Sequence, residues 1–160
     1  MKTTPIKQKS VKEICANLDN ISLVTTHLKA IAEGSGNKKS HNIFLLRGDL
    51  ASGKTTLVRA YHELVRSSND GANNTSEAVT SPTFSLMHQY GDIYHYDLYN
   101  KNLQDLLALG LIEWLENPGT HFVEWGDERL EALLDDLGCA VCVVTIEKYK
   151  DERIYRILNG

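Results

Sequence analysis

Between positions 48 and 56 the chain reads Gly48-Asp-Leu-Ala51-Ser52-Gly53-Lys54-Thr55-Thr56. This fits G-x-x-x-x-G-K-[ST], a pattern whose chemistry is phosphate binding. Successive backbone N–H groups and a helix N-terminus form a nest for an anion. Lys54 adds a point charge between the β- and γ-phosphates, and the Thr55 hydroxyl can ligate Mg²⁺. At average residue usage, a chance match in 160 residues is expected on the order of half a percent of the time. The pattern also follows an apolar run, Ile43–Leu46, and opens a helical stretch, as the mechanism demands. Gly48, Ala51, Ser52, Gly53, Lys54, Thr55 and Thr56 are therefore the nucleotide-binding candidates, and Lys54 is also a catalytic one.

Magnesium at such a loop needs a carboxylate from a neighbouring strand. Phe122-Val123-Glu124 is apolar and ends in an acid, the shape of a Walker-B strand. Asp97 ends Ile93-Tyr-His-Tyr-Asp97, where alternation places Ile93, His95 and Asp97 on one face. In an open α/β sheet, ligands sit outside the carboxyl ends of the strands, where both acids would stand. A strand ending in an acid is common, so either carboxylate alone reads as readily as a solvated loop residue. His95 alone reads as a packed strand histidine. Trp125 reads either as core or as a neighbour of the nucleotide.

The elements that must position these residues mix strands and helices. Ile21, Val24, Leu28 and Ile31 recur at helical spacing within residues 20–33. Ser10-Val-Lys-Glu13 has capping-box spacing, yet the residues after it are apolar enough for a short strand; both readings stand. Ile43–Leu46 predicts a strand buried on both faces, followed by a helix from about Gly53 to Arg66. Residues 67–78 are small and polar and read as a mobile loop or an insertion. Gly91-Asp92 between Leu86–Tyr90 and Ile93–Asp97 predicts a hairpin. A helical stretch over Leu103–Leu115, a turn at Asn117-Pro-Gly119, a strand at His121–Trp125 and a helix at Asp127–Leu137 follow. Two late strands, Cys139–Glu147 and Arg153–Leu158, close the series. The expectation is one α/β domain over residues 1–160, with residues 1–9 flexible. Its fold is a three-layer P-loop NTPase fold: a mixed sheet, parallel at its centre, with antiparallel hairpin strands.

Composition narrows the function classes. Apolar residues make 42% and charged residues 24%, so a disordered chain is excluded. Lys+Arg is 17 against 21 Asp+Glu, and this acidic balance lacks the footprint of an autonomous nucleic-acid binder. Three cysteines make no disulfide framework, which points to a reducing, cytoplasmic setting. Cys139 and Cys142 spell C-x-x-C, but on a strand they point to opposite faces and read as strand thiols. No apolar block follows the first ten residues and no run of about 18 apolar residues exists, so neither a signal peptide nor a membrane span is expected.

Five blocks, in order and spacing, carry a resemblance to a known family. Residues 48–56 resemble the GDLGAGKTT loop of the TsaE family. Val79-Thr80-Ser81-Pro82-Thr83-Phe84 is similar to its VTSPTF motif, and His95-Tyr-Asp97-Leu-Tyr99 to its H-x-DLYR motif. Leu109-Gly-Leu111 and Phe122-Val-Glu124-Trp125 resemble its LGL and hhEW motifs. The similarity runs over roughly residues 20–156. It implies a small Mg²⁺-dependent ATPase, slow alone and stimulated by partners. It implies a role in forming the threonylcarbamoyl group on adenosine 37 of tRNAs reading ANN codons. The implied partners are ATP, the TsaB–TsaD complex and, through that complex, tRNA. On this resemblance Lys54 binds phosphate, Thr55 and Glu124 hold Mg²⁺, and Asp97 is a catalytic acid positioning water or metal. Thr80, Ser81, Pro82, Thr83 and Phe84 would form a switch or partner segment near the γ-phosphate. Two departures stand out. Ala51-Ser52 replaces Gly-Ala, and Asn100 replaces the Arg of DLYR.

The rival reading is a P-loop kinase acting on a small molecule, which would need an arginine-bearing lid. The six arginines at 47, 59, 66, 129, 153 and 156 are scattered. A GTPase would need N-K-x-D downstream of the loop; Asn37-Lys-Lys-Ser40 lacks the acid and lies upstream.

Overall fold

The structure, a computed structural model, describes residues 9–34, 42–69, 79–80 (backbone only) and 86–159. Residues 1–8, expected to be flexible, most of the 67–78 segment, and Ser81–Phe84 lie outside the described residues.

Among the described residues eight strands form one sheet: β1 (Ser10–Ala16), β2 (Asn42–Arg47), β3 (Val79–Thr80), β4 (Met87–Tyr90), β5 (Ile93–Asp97), β6 (Thr120–Glu124), β7 (Ala140–Tyr149) and β8 (Glu152–Asn159). Their spatial order is β1-β8-β7-β2-β6-β5-β4-β3. The four central strands β7, β2, β6 and β5 are parallel. Antiparallel pairs flank them on both sides: β7–β8–β1 on one, β5–β4–β3 on the other. The mixed sheet therefore has the parallel centre and antiparallel hairpins that the sequence predicts. Ser10–Glu13 belongs to a strand, which settles the choice against a capping box there.

The helices are α1 (Ser22–Gly34), α2 (Lys54–Ser68), α3 (Leu103–Ala108), α4 (Leu111–Leu115) and α5 (Glu128–Asp136). Alternation along β2 sorts them onto two faces. Phe44 and Leu46 meet Val24 and Leu28 of α1 and Leu57, Val58 and Tyr61 of α2. Ile43 and Leu45 meet Leu106, Leu111, Leu115, Leu130 and Leu134 of α3, α4 and α5. A strand apolar at four successive positions is thus covered on both sides, which makes three layers.

Several boundaries differ from the sequence reading; β7, for one, runs two residues past Glu147 to Tyr149. The stretch 103–115 is two short helices, because Gly110 adopts φ 93° and ends α3 in the left-handed conformation. Helix α2 runs on to Ser68, with the Ser67 and Ser68 hydroxyls donating to carbonyls of Glu63 and Leu64. Cys142 lies in the α1–α2 core while Cys139 packs on the opposite face, as alternation requires. Both are free thiols, and burial pushes Cys142 up to about 12, so it is unreactive packing.

The two cores share a centre at β6. Phe122 is fully buried, stacked on Phe44 at 5.1 Å and edge-on to Tyr61 at 4.8 Å. One residue earlier, His121 is fully buried toward the other face, with Nδ1 2.9 Å from the Tyr96 hydroxyl and Nε2 2.7 Å from the Asn117 carbonyl. Truncating Phe122 to alanine removes aromatic contacts to both β2 and α2. We expect Phe122→Ala to cost about 3–5 kcal/mol of stability, read as a lowered denaturant midpoint with unchanged slope.

Candidate functional site

The loop between β2 and α2 turns at the carboxyl edge of the parallel strands. Gly48 has φ 155°, and a Cβ there would sit 2.5 Å from the Ile146 carbonyl oxygen and 2.6 Å from Ser52 Oγ. Only glycine fits against β7 at that point. Ala51 has φ 57°, so the alanine found where the family has glycine does occupy a left-handed position. Ser52 is buried, and its carbonyl accepts from Arg153 Nε at 3.0 Å, which ties the loop to the β7–β8 hairpin. Gly53, at φ 107°, caps α2.

Lys54 opens the helix and is only 5% exposed. Its Nζ donates to the carbonyls of Gly48 and Asp49 at 2.7 and 2.8 Å and lies 3.3 Å from Ser52 Oγ. The same ammonium stands 4.0 Å from the centre of the Trp125 ring. Burial pulls the Lys54 pKa below the ordinary lysine value, against the attraction of Glu124, Asp49 and Asp97.

Both predicted acids stand beside this loop. β6 lies between β2 and β5, with Glu124 in register with Leu46 on one side and Asp97 on the other. Thr55 Oγ1 donates to Glu124 Oε1 at 2.7 Å, joining the first turn of α2 to the end of β6. His95 Nε2 is 3.1 Å from the same oxygen. Burial alone would raise the Glu124 carboxyl. The His95 and Thr55 contacts, with the charge of Lys54, outweigh it and hold the group below the usual carboxylate range. Asp97 is exposed, and its Oδ1 accepts from the Tyr99 backbone N–H at 3.1 Å. A cavity of about 390 Å³ is bounded by loop residues 50–56, Asp97, Tyr99, Glu124 and Trp125. Trp125 packs on the core and also lines the cavity. It does so at φ 65°, a strained conformation for a large aromatic residue.

The structure therefore brings together Lys54, Thr55, Asp97 and Glu124 with the loop from Gly48 to Thr56. Of the 80–84 segment, only the Thr80 backbone is described, paired with His88 of β4. Asn100, where the family has arginine, is exposed and left-handed at φ 60°, a conformation that asparagine tolerates. Two contributors escape the sequence reading. Arg153 acts on Ser52 across 101 positions, a distance no local pattern spans. His95 shares a strand face with Asp97, but its partner lies on another strand.

The strand order and the phosphate loop define the class: this is a P-loop domain of the mixed-sheet type. The family model described as "Threonylcarbamoyl adenosine biosynthesis protein TsaE" matches residues 22–155, and the chain belongs to that family. A Nostoc protein named tRNA threonylcarbamoyladenosine biosynthesis protein TsaE is 34% identical over 94 residues, covering 54% of this chain and 53% of its own. Proteins of the same name from Bacillus subtilis and Haemophilus influenzae are 30% and 31% identical, covering 62% and 68% of this chain and 65% and 64% of theirs. The chain thus spans about half to two thirds of the length of these relatives. A crystal structure of Bacillus subtilis YdiB superposes with a TM-score of 0.60 at 21% identity, over 96% of this chain and 88% of that one, which bears on the fold alone.

The strained alanine makes a stability test. Ala51→Gly relieves about 1–2 kcal/mol of left-handed strain and returns about 0.4–1 kcal/mol through the freer unfolded chain. We expect a net gain of about 0.5–1 kcal/mol by denaturant unfolding. Glu124 sets a pH dependence. Its folded pKa is lowered, so its contribution is present above the unfolded value and disappears as pH falls through the folded one. Wild-type stability should therefore fall more steeply on acidification than that of Glu124→Gln, measured by thermal melts across the acid range.

Proposed function

We propose that this chain binds ATP with Mg²⁺ at the 48–56 loop and hydrolyses it in support of threonylcarbamoyl formation on adenosine 37 of tRNAs that read ANN codons. The observation that carries the reading is the convergence of Thr55 and Glu124 at 2.7 Å beside Lys54, with Asp97 on the adjacent strand. The donors offered, a hydroxyl and a carboxylate, are the hard oxygen ligands that Mg²⁺ takes. A carboxyl held below its usual range is ionised when needed.

On this reading the loop amides and Lys54 hold the β- and γ-phosphates. Lys54 reaches them by exchanging the carbonyls of Gly48 and Asp49 for phosphate oxygens. Thr55 and Glu124 hold the cation, which when bound screens the charge of the phosphate oxygens. Asp97, exposed at the cavity rim, orients the attacking water. A second cavity of about 260 Å³ lies across the loop, lined by Ala51, Gly53, Thr56, Asn17, Arg153 and Tyr155 among others, and it suits the nucleoside end. The acceptor in this scheme is water. Among the described residues no arginine lines the phosphate cavity, so nothing there favours a kinase.

The relatives' names place them in threonylcarbamoyladenosine synthesis, which supports the TsaB–TsaD pair as partner and tRNA as the indirect target. Among the described residues no helix is long and apolar enough to cross a membrane, in keeping with a cytoplasmic role. Turnover should be slow in the isolated chain and rise when TsaB–TsaD is added.

Three variants test the roles by nucleotide-binding calorimetry and phosphate release. Lys54→Ala should remove a charge-assisted contact of about 1.5–3 kcal/mol and abolish measurable turnover, with a cooperative melting transition retained. Asp97→Asn should keep ATP affinity and lose about 10²-fold or more in turnover. Glu124→Gln should weaken Mg²⁺-dependent binding and be partly rescued by raised Mg²⁺. Wild-type hydrolysis by Lys54→Ala would refute the assignment of the loop.

A further inference from the structure

His95 reads from the sequence as packing, but its environment is specific. It sits on β5 in register with Phe122, two residues before Asp97. Glu124 is its diagonal neighbour on β6, at a spacing that long side chains bridge. The His95 and Glu124 side chains are 12% and 5% exposed. Nε2 is shielded from water, and among the described residues it meets no aligned hydrogen-bond acceptor. The nearest is Glu124 Oε1 at 3.1 Å, off the line of a full hydrogen bond. A carboxylate can only accept, so any hydrogen bond across this gap is donated by Nε2.

The same Oε1 also takes the Thr55 hydroxyl. One oxygen of Glu124 is thus held from two elements, α2 through Thr55 and β5 through His95. Among the described residues, Oε2 accepts no hydrogen bond. Glu124 stands last in β6.

We infer that His95 is a positioning residue. It holds Oε1 of Glu124 against Thr55, so that Oε2 is the oxygen presented to the divalent cation. The inference rests on the Mg²⁺–nucleotide reading above and adds a residue to it. Groups that orient a metal ligand from behind commonly change metal affinity about 10–100-fold when removed.

The test is calorimetric binding of a non-hydrolysable ATP analogue, with EDTA and across a Mg²⁺ titration. His95→Ala should raise the half-saturating Mg²⁺ about tenfold while leaving the affinity in EDTA unchanged. His95→Gln, whose amide reproduces a donor at the Nε2 position, should recover most of the loss and guards against a folding defect in the alanine variant. Placed on Glu124→Gln, His95→Ala should add no further change. A Mg²⁺ requirement in His95→Ala within twofold of wild type would overturn the inference, as would an undiminished effect in the Glu124→Gln background. So would failure of His95→Gln to recover when its melting temperature equals wild type. If wild type gains no affinity from Mg²⁺, the cation reading falls and the inference with it. If wild type gains and His95→Ala keeps the gain, only the inference falls.

Discussion

A buried carboxylate and a buried ammonium share the carboxyl edge of the parallel strands, and the architecture around them answers that constraint. Taking charges such as Glu124 and Lys54 out of water costs about several kcal/mol each unless partners compensate. Glu124 receives Thr55 and His95; Lys54 receives two loop carbonyls and the face of Trp125. Each partner comes from a different element: α2, β5, the β2–α2 loop and the end of β6. The site is consistent only when these elements are in register, so fold and site specify each other.

The loop has the same logic at the level of backbone. A chain leaving β2 must reverse into α2 within six residues while its amides stay free to meet an anion. Gly48 allows the close pass under β7 and Gly53 the entry to the helix. Ala51 and Trp125 hold left-handed conformations that cost energy, and both line the cavity beside the 48–56 loop. The other two left-handed non-glycine residues described, Asn100 and Lys150, do not line it. Arg153 braces the loop from outside through the Ser52 carbonyl, which gives the C-terminal hairpin a part in the site.

The sheet explains why two acids serve one loop. Parallel strands all end at the same edge, so β5 and β6 deliver Asp97 and Glu124 side by side. Their environments then separate them. Glu124 is enclosed and accepts from Thr55, whereas Asp97 is exposed and, among the described residues, accepts only from a local backbone amide. That difference is why the proposed function gives the cation to Glu124 and the attacking water to Asp97.

Much of this was legible in the sequence, because its causes are local. The loop pattern, the doubly apolar β2, the hairpin at Gly91-Asp92 and the alternation along β5 each follow from neighbouring residues. They suffice for the fold class, the phosphate loop and both candidate acids. Tertiary structure alone decided what depends on register between distant segments. It turned Ser10–Glu13 into an edge strand by pairing it with β8. It set His95 against Glu124 and Arg153 against Ser52. Such contacts join segments far apart in the chain and leave no periodicity behind, since a side chain's partner across a sheet is chosen by strand order, which no single segment encodes.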